Sequence, residues 1–236
     1  MKLAQRRLLL ILLAGLIARL IPSAFYAHPW DMYIWFKSGE LGLMDLNIYK
    51  FSNPVNYPWG FYAYPPGWLY WLILVSMIGG SVSFKIFVVK LPIIAADLAV
   101  ALVLYRLARE LDLDENRSLI AVGLWLFNPI TYFISSFWGM FDSIAVLFQL
   151  LAIYYLLKRR YLLSGVMIGV GTAIKILPAL IILPIAVYLW KKRDDPLKTL
   201  ALKIILPALL IFLLISIPFL STPIEYLKAL LQHTKS

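Results

Sequence analysis

Residues 158–193 read KRRYLLSGVMIGVGTAIKILPALIILPIAVYLWKKR, an apolar run with a basic triplet at each end. Between the triplets, the run carries a single charge, Lys175, and is interrupted at Pro178 and Pro184. A membrane-spanning helix needs about 20 apolar residues, and basic residues prefer the cytoplasmic side. If both triplets are cytoplasmic, the run is not one crossing. We therefore predict a broken-helix hairpin over 161–190, with its tip in protein or in a wet cavity.

The whole chain is similarly apolar. Hydrophobic residues make up 62% of it, charged residues 14%, and its mean hydropathy is +0.84. A soluble domain carries about 25% charged residues. The composition therefore predicts an all-α, polytopic transmembrane bundle, a single membrane domain over 1–236 with about seven membrane helices. The apolar segments are 8–25, 65–80, 85–108, 118–134, 139–157, 161–190 and 198–220.

The net charge of +10 is concentrated at the ends of apolar runs. This pattern is typical of the positive-inside bias and of attraction to anionic lipid, so the bilayer is the expected partner and nucleic acid is not. It predicts a multi-pass cell-membrane protein with a cytoplasmic N-terminus. We interpret 8–25 as a retained first helix, with cleavage at Ala27 as a weaker alternative.

The predicted topology contains a conflict. Counting crossings makes 26–64 the first external loop and places 109–117 outside as well. The same count places Lys158–Arg160 outside, against the charge rule. One segment must therefore be re-entrant or broken, and the sequence leaves open which one.

The loop 26–64 contains a dozen aromatic residues and several carboxylates. Over 30–45, a set of apolar residues falls on one face at helical spacing: Trp30, Tyr33, Ile34, Leu41 and Met44. This pattern predicts a helix in the membrane interface with its apolar side toward the lipid. The proline-rich stretch that follows predicts extended or turning backbone.

Five ionisable residues fall within apolar runs or at their ends, where a charge costs roughly 3 kcal/mol or more at the bilayer centre. They are Arg19, Lys90, Asp97, Asp142 and Lys175. Such groups form pairs or line cavities. Arg19 could also extend to a lipid headgroup. Lys90 and Asp97 share a helix face, and for both a structural role and a cavity role stay open.

Lys175 lies midway between the basic triplets, beside Pro178. A compact cation there could hold a phosphate, and an internal salt bridge is the alternative. Asp142 follows Gly139 and is predicted to begin the next helix, where its charge suits the positive end of the helix dipole. Lining a polar cavity is the alternative for Asp142.

Asp31 follows His28-Pro29-Trp30 directly after the first helix. A carboxylate above the membrane could accept a proton from a sugar or lipid hydroxyl. The alternative is an exposed, solvated aspartate. His28 could assist Asp31 or pack against its aromatic neighbours.

These motifs, taken in order, resemble those of the GT-C superfamily of polytopic glycosyltransferases. The similarity is greater to prokaryotic mannosyltransferase-like proteins related to the second mannosyltransferase of GPI-anchor synthesis. The matching stretches are His28-Pro29-Trp30-Asp31, Tyr64-Pro65-Pro66, Lys90-Leu91-Pro92 to Ala96-Asp97-Leu98, Asn128-Pro129, Trp138-Gly139-Met140-Phe141-Asp142 and Lys175-Ile176-Leu177-Pro178.

The resemblance implies a polyprenyl-phosphate-linked sugar donor, a lipid or glycan acceptor and inverting chemistry at the external face. Asp31 would be the general base, and Lys175 would contact the leaving phosphate. The aromatics of 49–64 would stack on sugars or prenyl units, with the interfacial belt as the alternative role. The implied substrate- or phosphate-binding residues are Lys175, His28, Asp142, Tyr64, Lys90 and Asp97.

Two departures from the resemblance bear on activity. Met140 stands where the resemblance leads us to expect Gln. The chain also ends at Ser236, whereas the family's proteins are longer. The resemblance therefore implies a truncated or minimal module that a partner subunit would complete with the missing C-terminal helices.

Two other functions fit the sequence. Broken helices and intramembrane charges also occur in transporters and flippases of lipid-linked or anionic solutes, whose sites lie near the midplane. The short chain fits a non-catalytic subunit of a glycosylation complex. An enzyme instead needs Asp31 and Lys175 at one cavity on one side of the membrane.

We expect no cofactor because no ligand cluster is evident, with a divalent cation left open.

Overall fold

A computed structural model describes residues 3–51, 62–192 and 195–231, and these residues form helices and no strand. The all-α prediction is therefore confirmed. The helices are α1 Leu3–Ser23, α2 Pro29–Met44, α3 Gly67–Ser76, α4 Val82–Glu110, α5 Glu115–Leu126, α6 Pro129–Tyr132, α7 Asp142–Leu157, α8 Tyr161–Ile174, α9 Ile182–Lys192, α10 Pro196–Leu200, α11 Leu206–Ser216 and α12 Pro223–Leu231. Tighter or wider helical turns cover Ile48–Phe51, Phe133–Trp138, Leu177–Ile181, Ala201–Ile205 and Ile217–Phe219.

Two helices in the described chain are long and apolar enough to cross a membrane, Val82–Glu110 and Pro196–Phe219. A third candidate is the pair Glu115–Leu126 and Pro129–Trp138, which bends by 44° at its break. Asn128 caps the second half of this pair, and the proline after it fixes the turn. The number of about seven crossings stays a prediction.

Helices α1 and α4 run antiparallel and define two ends of the molecule. Arg19 of α1 pairs with Asp97 of α4, with 2.7 Å between Nε and Oδ2. Seven residues later, the carbonyl of Tyr26 accepts a hydrogen bond from Lys90, which lies seven residues before Asp97. The carboxyl end of α4 therefore lies beside the amino end of α1.

We call this end the basic end. The ion pair between Glu110 and Lys158 brings the α7–α8 turn there. Leu189 shares one buried cluster with Leu156 and Tyr161, so the second triplet lies nearby. The basic end holds Arg6, Arg7, Lys158, Arg159, Arg160, Lys191 and Lys192. The opposite end, here the loop end, holds 26–51, the start of α7 and the break at Lys175.

The predicted placement of 109–117 with the loop 26–64 is wrong. Glu110 pairs with Lys158 at the basic end, whereas 26–51 lies at the loop end. The cause is the segment 65–80, which forms only the ten-residue helix α3. Ten residues span about 15 Å, half of the roughly 30 Å hydrocarbon core. Because α3 does not run between the ends, the conflict with the charge rule disappears.

The run 161–190 is broken where the sequence predicts. Helix α8 ends at Ile174, Lys175 adopts extended backbone, and a short 3-10 turn leads into α9. Pro184 causes no second break because it falls in the first turn of α9, where a missing N–H is tolerated. Helices α8 and α9 contribute to one buried cluster. Whether this hairpin enters a membrane stays a prediction.

Helix α2 forms over the predicted stretch, and the face that it buries was not foreseen. Trp35 packs against α3 together with small residues, including Gly39. A Cβ on Gly39 would lie 2.5 Å from the carbonyl oxygen of Leu72. Of the predicted apolar face, Trp30 is exposed, as expected for a lipid-facing side, whereas Ile34 is buried. The interfacial position itself stays a prediction.

The close approach of α2 to α3 leads to a stability prediction. Gly39→Ala should destabilise the fold by about 1–3 kcal/mol because the added methyl group meets backbone atoms. Gly123→Ala is the matched control, since open space surrounds that position and alanine favours a helix. Thermal unfolding in detergent measures both. An unchanged melting temperature for Gly39→Ala would contradict the packing described here.

Candidate functional site

Asp31 lies in the first turn of α2, where its charge suits the positive end of the helix dipole. His28 is the N-cap residue, and its Nδ1 accepts a hydrogen bond from the backbone N–H of Asp31 at 3.4 Å. The same Nδ1 lies 2.9 Å from Asp31 Oδ2. The side chain of Asp31 is 26% exposed, so the local sequence orients a carboxylate that a ligand can still reach.

Trp138 completes the surroundings of Asp31. Its indole Nε1 donates a hydrogen bond to Asp31 Oδ2 at 2.5 Å. Its ring stacks on His28, with 4.7 Å between centroids. From the sequence, Trp138 belongs to the motif Trp138-Gly139-Met140-Phe141-Asp142, and no role is predicted for it. The motif was the available signal, because neither charge nor spacing connects positions 31 and 138.

Lys90 is completely buried below this cluster. Its ammonium donates to the carbonyl of Tyr26, to that of Ser136 at 2.8 Å and to that of Phe137 at 3.1 Å. These three acceptors account for the three donors of an ammonium group. Lys90 therefore joins the segment before His28 to the segment before Trp138. Its placement favours the structural alternative over ligand binding.

Gly139 makes the tight passage after Trp138 possible. Its φ of +92° lies in the left-handed region, which glycine adopts without strain. An added Cβ would lie 2.6 Å from Met32 Cε and 2.8 Å from Lys90 Cε. Glycine therefore allows the indole to reach Asp31.

Asp97 belongs to a buried network that joins α1, α4 and α7. Its Oδ2 binds Arg19 Nε, and its Oδ1 accepts a hydrogen bond from Ser143 Oγ at 2.5 Å. Arg19 also donates to the carbonyl of Leu126 at 2.7 Å. The suggestion that Arg19 extends to a headgroup is wrong, because its side chain is fully buried. The placement of Asp97 also favours a structural role.

Asp142 is the first residue of α7, as predicted, and it forms an ion pair with Lys175. Lys175 is therefore in the internal salt bridge that the sequence offered as the alternative to phosphate binding. Its ammonium lies 5.7 Å from the ring centroid of Phe141 and 5.9 Å from that of Tyr64. An ammonium has three donors, so this ion pair still permits contact with an added anion.

Tyr64 links the Asp31 cluster to the Lys175 pair. Burial, together with the charges of Asp31 and Asp142, raises the pKa of its phenol to about 12. Both carboxylates therefore lie close enough to act on the same hydroxyl. The phenol stays protonated near neutral pH and can donate a hydrogen bond.

Two cavities open at the loop end, one beside each cluster. The first, of about 440 Å³, is lined by Ala63, Tyr64, Pro65, Lys175, Ile176, Leu177 and Leu230. The second, of about 400 Å³, is lined by Tyr26, Ala27, His28, Pro29, Phe133, Phe137 and Trp138. The structure thus places the Asp31 and Lys175 clusters at the same end, each beside its own cavity. The charges of Asp31 and Asp142, one from each cluster, both raise the pKa of Tyr64.

Two described aromatics of 49–64, Tyr49 and Tyr62, do not form the expected ligand surface. Tyr49 and Tyr62 are buried and pack with Phe219 and Tyr226. The hydroxyl of Tyr49 donates to the carbonyl of Tyr64 at 2.7 Å. For these two tyrosines, both the sugar-stacking role and the interfacial-belt role are wrong, because they form a protein core. Tyr57 and Trp59 fall outside the described residues.

The described part of the chain holds no group of three or more His, Asp or Glu residues arranged to bind a metal ion. The expected absence of a cofactor stays a prediction.

Comparison with known proteins finds one matching family and several similar relatives. Residues 53–232 match the family described as GPI transamidase subunit PIG-U. GPI mannosyltransferase 1 of Saccharomyces cerevisiae is 28% identical over 154 residues, which cover 64% of this chain and 36% of the relative. GPI mannosyltransferase 1 of Debaryomyces hansenii is 26% identical over 160 residues, covering 61% and 37%. No solved structure matches.

The resemblance to GPI mannosyltransferases is confirmed, although the matched relatives bear the name of the first such enzyme rather than the second. The chain spans little more than a third of the length of these relatives. The family match includes Tyr64, Asp142 and Lys175, whereas His28 and Asp31 precede it.

The buried Asp97 network leads to a second stability prediction. Asp97→Asn leaves the Arg19 charge buried without its partner and should destabilise the fold by about 3–5 kcal/mol. The double variant Arg19→Met/Asp97→Leu removes both charges and should lose less stability than Asp97→Asn. Glu40→Gln, in an exposed pair with Lys37, should change stability by about 1 kcal/mol or less. Thermal unfolding measures all three variants, and equal melting temperatures for Asp97→Asn and Glu40→Gln would refute the network.

The raised pKa of Tyr64 predicts a specific alkaline titration. Its folded pKa of about 12 exceeds the ordinary 10.0, so its contribution to stability is complete below pH 10 and is lost as pH rises from 10 toward 12. The tyrosinate absorbance of the wild type minus that of Tyr64→Phe should therefore appear near pH 12. After unfolding, the same difference should appear near pH 10. A folded-state difference near pH 10 would disprove the burial of Tyr64.

Proposed function

Because the chain belongs to the PIG-U family and resembles GPI mannosyltransferases, we propose that it is a membrane glycosyltransferase. It transfers a mannosyl or related hexosyl group from a polyprenyl-phosphate donor to a lipid or glycan acceptor at the external face. The observation that carries this proposal is the Asp31 carboxylate, which Trp138 holds by a hydrogen bond next to His28, at the same end of the molecule as Tyr64 and Lys175.

Asp31 acts as the general base. Trp138 and His28 both contact Oδ2, which leaves Oδ1 as the proposed proton acceptor. As the acceptor hydroxyl attacks the anomeric carbon, its proton passes to Oδ1 and the bond from that carbon to the phosphate oxygen breaks. Attack opposite the leaving phosphate inverts the anomeric configuration.

The cavity beside Lys175 receives the donor. Ile176, Leu177 and Leu230 give it apolar walls suited to a prenyl chain. Lys175 offers a fixed cation to the departing phosphate, and the neutral Tyr64 hydroxyl can donate a hydrogen bond. The ion pair with Asp142 keeps the lysine at the cavity wall before the donor arrives.

The second cavity, next to His28 and Trp138, receives the acceptor. Its other walls are mainly aromatic, from Tyr26, Phe133 and Phe137. Such a surface offers large flat faces with few polar groups, which suits a sugar or lipid held in one orientation. Asp31 accepts a hydrogen bond from Trp138, which lines the acceptor cavity, and its charge raises the pKa of Tyr64, which lines the donor cavity. The base therefore lies between the two proposed substrates.

The basic end faces the cytoplasm and the candidate site faces outward. On this proposal, the segments that run between the two ends cross the membrane: 3–23, 82–110, 115–138, 142–157, 161–174, 177–192 and 196–219. This gives a multi-pass protein with seven crossings and an external first loop, in which α2 lies along the interface.

A non-catalytic role is the second candidate. The family description names a transamidase subunit, and its match begins at residue 53, after Asp31. The matched mannosyltransferases are also much longer than this chain. As a subunit, the protein would present the same loop end to partner chains of the complex.

Asp31→Asn tests the catalytic proposal. The variant should fold normally, because the amide keeps the shape of the carboxylate. It should lower sugar transfer about 10²–10⁴-fold, since the general base is lost. Membranes containing the full chain would be supplied with polyprenyl-phosphate mannose, and glycolipid products followed by mass spectrometry. Glu40→Gln, which alters an exposed carboxylate of the same helix, is the matched control.

Full transfer by Asp31→Asn would remove Asp31 from the role of base. A wild-type chain that makes no product alone, but restores transfer or transamidation when co-expressed with longer partners regardless of Asp31, would support the subunit role instead.

A further inference from the structure

A third cavity, of about 430 Å³, opens at the basic end, far from the candidate site. It is lined by Arg159, Arg160, Tyr161, Leu162, Leu163 and Lys203. The first residues belong to the turn between α7 and α8, and Lys203 comes from the wide helical turn before α11. Two separate parts of the chain thus direct cations to one concave surface.

Among the described residues, no carboxylate forms an ion pair with these cations. Lys158, which precedes them, pairs with Glu110 and is therefore occupied. Within residues 3–51, 62–192 and 195–231, no Asp or Glu forms an ion pair with Arg159, Arg160 or Lys203. The cavity therefore carries a net positive charge in the described structure, which suits an anion.

The backbone at Arg159 gives an independent indication. Its φ is +58°, a left-handed conformation in which glycine is usual after a helix. The N–H of Arg160 donates to the carbonyl of Tyr155, and that of Arg159 to the carbonyl of Leu156, which is the usual hydrogen-bond pattern of such a helix end. An arginine here costs about 1–2 kcal/mol relative to glycine. Arg159 therefore combines a strained backbone with one of the cations of the cavity.

The start of α8 adds to the positive potential. Arg160 is the N-cap residue and makes no side-chain hydrogen bond to the first turn. The positive end of a helix dipole favours anions, and the first residues of α8 line the cavity.

We propose that this cavity binds the phosphate headgroup of an anionic phospholipid. The apolar surroundings select a lipid rather than a soluble anion. Leu162 and Leu202, next to the cations, are 58% and 53% exposed and offer apolar surface to acyl chains. The basic end is also the end that the charge rule places in the cytoplasmic leaflet, where anionic lipids are concentrated.

The test uses the full chain purified in neutral detergent and titrated with phosphatidylglycerol, phosphatidylcholine or inorganic phosphate, with thermal unfolding as the readout. Phosphatidylglycerol should raise the melting temperature in a saturable way, with little effect from the other two. Arg160→Gln/Lys203→Gln should weaken its binding about 25-fold, since each cation near a membrane surface contributes about fivefold. Lys228→Gln removes an exposed charge from α12, which follows α11 at the loop end. This variant should bind phosphatidylglycerol like the wild type.

Arg159→Gly separates the two roles of that residue. It should raise the melting temperature without lipid, because the backbone strain is relieved, and it should weaken phosphatidylglycerol binding about fivefold. Equal stabilisation by phosphatidylcholine would overturn the proposal. So would equal stabilisation by inorganic phosphate, or unchanged phosphatidylglycerol binding by Arg160→Gln/Lys203→Gln. The binding readout does not depend on sugar transfer.

Discussion

The loop end depends on the buried ammonium of Lys90. A charged group without solvent must be fully satisfied, and Lys90 achieves this through backbone carbonyls from two distant segments. One carbonyl precedes His28 and the others precede Trp138, so satisfying the charge brings these two side chains together. Asp31 is then held between an imidazole and an indole. The lysine contacts no candidate substrate position, yet the arrangement of the carboxylate follows from it.

The two ends of the molecule differ in the use of charge. Toward the loop end, the charges of the candidate site and of the helix network are paired, as in Asp142 with Lys175 and Asp97 with Arg19. At the basic end, several arginines and lysines remain without carboxylate partners in the described chain. On our proposals, this asymmetry orients the protein in a membrane, with sugar transfer at the loop end and lipid binding at the basic end. The family match does not include the segment that supplies Asp31, so this segment is where an enzyme and a subunit would differ.

The sequence predicted the features that depend on local chemistry. The helical class follows from composition, the break near Lys175 from Pro178, and the position of Asp142 from the preference of carboxylates for helix starts. The features that it missed depend on distance in three dimensions. The sequence did not reveal that α3 is short, because this helix lies within an apolar run of ordinary length. The buried face of α2 contains glycine, which no hydrophobic pattern selects. Arg19 and Lys90 were recognised as costly charges, but their partners lie on other helices or on backbone carbonyls.

We propose that Asp31 and Lys175 serve a single reaction centre between the two cavities of the loop end. A structure of the full chain with a bound polyprenyl-phosphate sugar tests this most directly. We expect the phosphate on Lys175, the prenyl chain along Ile176 and Leu177, and the anomeric carbon toward Asp31. A donor phosphate bound at the basic end, or a sugar separated from Asp31 by protein, would contradict it.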